Sequence, residues 1–181
     1  SIVTASHIVT ALQTVVSRNV SAQEAAVVSV TRIEGGNTWN VLPQSVELEG
    51  TVRTHNSEIR EQIPQRIRKV IAGVADALGA KAELHWFGGP PAVVNTPRWA
   101  EFSLKAADEF GYKTEVAQAQ MGGEDFAFYL HHVPGAFVSI GSASDFGLHH
   151  PQFNPDESAI YPAAEYFQQL AEKALDELTE K

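Results

Sequence analysis

The chain has 181 residues, 44% hydrophobic and 19% charged, which suits one ordinary domain or two small ones and excludes disorder and collagen-like repeats. Its 13 basic and 22 acidic residues leave a net charge of -9, so a nucleic-acid partner is not expected. Cysteine is absent, which excludes disulfides, thiolate zinc sites and a cysteine nucleophile without fixing the compartment.

Residues 1–19 carry Ile2, Ala5, Ile8, Val9, Leu12 and Val16 at helical spacing, so an amphipathic helix is expected. The segment lacks the charged start and cleavage site of a signal peptide and is too polar and short to span a bilayer. With no initiator Met and almost no lead-in, the chain reads as starting inside a domain. Residues 25–33 are β-branched and predict a strand, broken by Gly35-Gly36-Asn37. In residues 45–55, Val46, Leu48, Gly50 and Val52 alternate with Glu47, Glu49, Thr51 and Arg53, the period of a half-buried strand. Asn56 or Ser57 caps a helix to about Leu78, with Ile59, Ile63, Ile67, Val70 and Val74 on one face. Pro64 either starts its main part or kinks it, and Gly79 ends it.

A further strand is expected over residues 81–87. Gly88-Gly89-Pro90-Pro91 then marks a domain boundary near residue 95. Beyond it the pattern predicts a helix over 97–110, a strand over 112–119, a tight turn at Met121-Gly122-Gly123 and a short helix over 124–130. A buried strand over 136–140, a long loop over 141–156 and a helix over 162–178 follow. Alternating strands and helices suggest an α/β fold, a parallel or mixed sheet with helices packed on it.

Few residues stand out chemically. His149-His150 follows a buried strand, where α/β sites collect ligands, though such a pair also suits a polar surface loop. Adjacent side chains diverge, so one of the two at most is expected to ligate. Gly122-Gly123-Glu124-Asp125 either caps a helix electrostatically or allows close backbone approach to a ligand. Arg53 suits a planar carboxylate but equally an exposed strand face. His7 and His85 read as structural, His131-His132 as cations at a helix C-terminus, and Glu34, Asp145, Asp156 and Glu157 as solvated charges. No Walker A loop, dinucleotide fingerprint or G-x-S-x-G elbow is present.

Four segments together carry a resemblance. They are Gly35-Gly36-Asn37-Thr38-Trp39-Asn40-Val41-Leu42-Pro43, Glu49-Gly50-Thr51-Val52-Arg53, Met121-Gly122-Gly123-Glu124-Asp125-Phe126 and Leu148-His149-His150-Pro151-Gln152-Phe153. In this order and spacing the chain resembles the metal-dependent amidohydrolase and carboxypeptidase family. The nearest branch is that of hippurate hydrolase, N-acyl-amino-acid amidohydrolases and indole-acetyl-amino-acid hydrolases. The resemblance implies an α+β lid domain over residues 1–95, lacking its first strand, and the C-terminal part of an α/β catalytic domain over 96–181. It implies that His149 is a metal ligand, that Asn40 and Arg53 reach the substrate, and that Arg53 holds its carboxylate. Gly122 and Gly123 would line the site, with Glu124 behind them.

The implied cofactor is a divalent metal: zinc, manganese, nickel or cobalt. The implied enzyme is a cytoplasmic homodimer, paired through the lid, that cleaves N-acyl amino acids with no membrane or nucleic-acid partner. The family's other metal ligands, its glutamate base and its lid histidine have no match in this sequence. The chain therefore reads as a C-terminal half whose N-terminal half is missing, with no catalytic residue of its own and no expected activity alone. The rival reading is a non-enzymatic α+β binding or dimerisation module.

Overall fold

The apolar periodicities decide where the chain packs. A computed structural model describes residues 1–179, which form two compact units. The first comprises Ser1–Ala92 with Gln120–Asp125, and the second Val93–Ala119 with the chain from Phe126 onward.

In the first unit, helix α1 (Ile2–Ser17) leads to strand β1 (Ala26–Glu34), strand β2 (Glu47–Thr54) and helix α2 (Ser57–Ala77). β1 and β2 form an antiparallel hairpin that pairs Ala26 with Thr54 and Glu34 with Glu47, with a bulge between Val30 and Arg32. Val28, Val30, Leu48 and Val52 pack against a core of Ile8, Leu12 and Val15 from α1 and Ile63 and Ile67 from α2. The buried stripe of α1 runs through Val15, one position before the expected Val16, while Ile2 stays exposed. The Asn56 side chain caps α2 by accepting the Glu58 and Ile59 amides. The helix continues through Pro64. Gly79, at φ 65°, ends it by taking the left-handed conformation that a helix stop favours.

In the second unit, helix α3 (Pro97–Glu109), the short α4 (Phe126–Leu130) and α5 (Ile160–Thr179) follow, with a 3-10 turn over Glu157–Ala159 before α5. Buried Tyr166 of α5 donates its hydroxyl to the Ser103 carbonyl of α3 at 3.0 Å and meets the rings of Phe110 and Tyr112 edge-on. Ion pairs Glu109–Lys173 and Arg98–Glu177 also tie α3 to α5. Asp156, expected as a solvated charge, caps the 3-10 turn through the Ser158 amide at 2.9 Å, which holds its carboxyl below the ordinary range.

The α/β character stands, but the expected mixed sheets are not found among the described residues. The only sheet there is the antiparallel hairpin, and the segments 81–87, 112–119 and 136–140 are not strands. A period-two pattern shows that a segment suits a pleat; it does not supply the neighbouring ladder. Side chains take part of that role instead. The Asn95 amide donates to the Phe137 carbonyl at 2.9 Å and accepts the Phe137 N–H at 2.8 Å. Thr96 accepts the Gly135 N–H on its hydroxyl oxygen at 3.1 Å and donates its own backbone N–H to the Gly135 carbonyl at 2.9 Å. Leu84, from the first of the three segments, packs on the core without pairing. No described helix is long and apolar enough to cross a membrane.

Candidate functional site

Asn40 lies on the loop joining β1 to β2. Gly36, at φ 84°, turns the chain into this loop, and the Ser1 hydroxyl holds it by donating to the Pro43 carbonyl at 2.7 Å. The Asn40 side-chain oxygen accepts from the Thr38 hydroxyl at 3.0 Å. Trp39 and Leu42 beside it are 94% and 87% exposed, so this loop presents apolar surface around one amide.

Arg53 sits near the far end of β2, opposite Val27. Strand alternation puts Val52 on the core side and Arg53 on the outer face, where it is exposed. Its guanidinium donates to the Val52 carbonyl at 3.1 Å and pairs with no carboxylate among the described residues. Asn40 and Arg53 are not brought together along the hairpin. Asn40 is on the connecting loop and Arg53 is next to last in β2, and no hydrogen bond joins their side chains among the described residues.

Gly122, Gly123 and Glu124 belong to the first unit. A methyl group added at Gly122 would meet nothing within 4 Å, and one at Gly123 would make ordinary contact with Pro90 Cγ at 3.5 Å. Neither position needs glycine for its own folding, and Gly122 opens onto free space where another molecule could approach the backbone. Glu124 is half-buried just before α4.

The linker beside Gly123 is held from α2. Arg60 donates to the Gly89 carbonyl and, at 3.4 Å, to that of Pro90. Neither Arg60 nor Asn95 stands out in the sequence. The signal for Arg60 was a cation near a helix N-terminus, where the macrodipole disfavours it.

His149 belongs to the second unit, exposed and in the left-handed region at φ 67°. The two histidines differ sharply. His150 stacks on Phe146 with ring centres 4.4 Å apart, and its Nδ1 accepts the Gln152 amide at 3.1 Å. Among the described residues the His149 ring makes no hydrogen bond, so its nitrogens are open to a ligand. No group of three or more His, Cys, Asp or Glu able to hold a metal occurs among the described residues. They fit one ligand position of a metal site and do not fit a whole one.

Residues 5–173 match peptidase family M20/M25/M40. The chain is 44% identical over 170 residues to N-acetylcysteine deacetylase of Bacillus subtilis, covering 94% of this chain and 45% of that protein. It is 35% identical over 172 residues to N-acetyldiaminopimelate deacetylase of Bacillus cytotoxicus, covering 93% and 45%. A Bacillus subtilis crystal structure described as a dinuclear metal binding peptidase of the M20 family superposes with a TM-score of 0.78 at 40% identity, over 97% of this chain and 46% of that one. The chain thus spans somewhat under half the length of these relatives. A match covering nearly every residue from α1 to α5 places the chain in peptidase family M20/M25/M40.

Proposed function

We propose that this chain is the substrate-holding part, with one metal ligand, of a hydrolase that removes the acyl group from N-acyl amino acids. The observation that carries this reading is the match, over more than nine-tenths of the chain, to relatives named as deacetylases of N-acetylated amino acids. Arg53 binds the free carboxylate of the substrate, since its fork can bond both oxygens at once. Asn40 orients the amide through its side chain, and the apolar Trp39 and Leu42 exclude water around it. The backbone at Gly122 and Gly123 admits the substrate closely, and Glu124 supports that turn.

His149 supplies one ligand to a divalent metal site of zinc, manganese, nickel or cobalt, which when complete activates water. The remaining ligands and the base come from polypeptide outside these 181 residues. Residues 1–95 act as lid, through which two copies pair, and 96–181 as part of the catalytic domain.

The test is Arg53→Lys in the complete enzyme, assayed on N-acetyl amino acids and on the same compounds with the carboxylate blocked as a methylamide. Losing a charge-assisted bond of about 1.5–3 kcal/mol lowers kcat/KM by roughly one to two decades on the free acids. The methylamides are poor substrates for both proteins and do not distinguish them. Unchanged kinetics on the free acids removes Arg53 from the site. Absence of any turnover by the metal-loaded complete protein favours the non-enzymatic binding module.

A further inference from the structure

The geometry points to Arg60 as a positioning residue for the turn at residues 121–124, acting through the linker at residues 88–92. The inference rests on the reading that this turn lines the substrate site. Gly89 and Pro90 each precede a proline, which confines both to extended conformations. Pro90 and Pro91 have no N–H, so the linker cannot be held by a backbone ladder. Its carbonyls are left free to accept from water or from a side chain.

Arg60 reaches the carbonyls of both Gly89 and Pro90. The turn passes beside the same proline: a Cβ added at Gly123 would lie 3.5 Å from Pro90 Cγ, and residues 120–125 belong to the same unit as the linker. α2 is itself fixed by Ile63 and Ile67, among the most buried side chains of the unit. A line of neighbouring groups therefore runs from the core through α2, the Arg60 guanidinium and Pro90 to the turn at Gly123. Arg60 is the fourth residue of α2, close to the end where the helix dipole repels a cation. The two carbonyls are what hold a positive charge there.

The experiment compares Arg60→Ala, Arg60→Lys and Arg66→Ala in the complete enzyme. Arg66 lies on the same helix but bonds the Asn19 side chain at 2.6 Å, away from the linker, and controls for general loss of stability. Amide exchange on the millisecond scale, followed by mass spectrometry, is read at the amides of Gly88, Gly89 and Ala92 and of residues 121–124, and turnover is measured on an N-acetyl amino acid. Arg60→Ala speeds exchange in both segments together, although they lie far apart in sequence. It also lowers kcat/KM on the order of tenfold to a hundredfold, as displacement of a site wall by about 1 Å does. Arg60→Lys recovers most of both effects, because an ammonium still donates to one carbonyl, and Arg66→Ala leaves both unchanged.

The proposal is overturned if Arg60→Ala leaves exchange at 121–124 unaltered, if exchange rises without loss of turnover, or if Arg66→Ala reproduces the pattern. If the unmutated enzyme turns over no N-acyl amino acid, the functional reading fails and the coupling to a substrate site fails with it. In that case exchange still reports separately whether the contact between linker and turn exists.

Discussion

Two neighbouring histidines show how little a sequence interval says about a side chain's task. The His150 ring is taken up by Phe146 and by the Gln152 amide, whereas His149 projects from a left-handed backbone with its nitrogens open. His149→Ala is therefore expected to lower both the metal content and the activity of the complete enzyme. His150→Ala is expected to keep the metal and loosen the loop, losing about 1 kcal/mol for the hydrogen bond and further stacking energy. Metal per subunit after dialysis decides between them. Retention by the His149 variant with loss by the His150 variant would reverse the assignment.

Among the elements, the β1–β2 hairpin depends on a residue without a side chain. Gly50 lies opposite Val30 just before the bulge, and an added Cβ would collide with the Ser29 carbonyl oxygen. Gly50→Ala should destabilise the first unit by about 1–3 kcal/mol, as overpacking does. Denaturant titration should show a lower midpoint for this variant, and an unchanged midpoint would mean that the strands shift at no cost. The hairpin's two strands were legible in the sequence because alternation, turn glycines and β-branched residues marked them, whereas their antiparallel pairing was not expected. The helices were legible from their helical spacing and end signals, to within a residue or two at their ends. The three missing strands were not, because pairing depends on neighbours that local pattern does not specify, and Asn95 does for Phe137 what a strand would otherwise do. The candidate site was legible only as scattered motifs. Arg60 escaped notice because its partners are backbone carbonyls, which look alike in any sequence.

For the whole molecule, the decisive fact is that one open imidazole does not make a hydrolytic centre. Such a centre uses about three protein ligands and leaves a position for water. The 181-residue chain on its own, given zinc, manganese or cobalt, is expected to turn over no N-acetyl or N-benzoyl amino acid, while the complete protein does. Turnover by a preparation shown by mass spectrometry to hold only this chain would refute the division of labour proposed here. The backbone angle at His149 has a bearing on protein engineering. A left-handed conformation costs an ordinary residue about 1 kcal/mol or more, and Gly or Asn adopts it with less strain. A library screened for heat resistance alone would score His149→Gly and His149→Asn as improvements and discard the proposed ligand unnoticed. Screening for turnover would keep the histidine, so the two selections pull this one position in opposite directions.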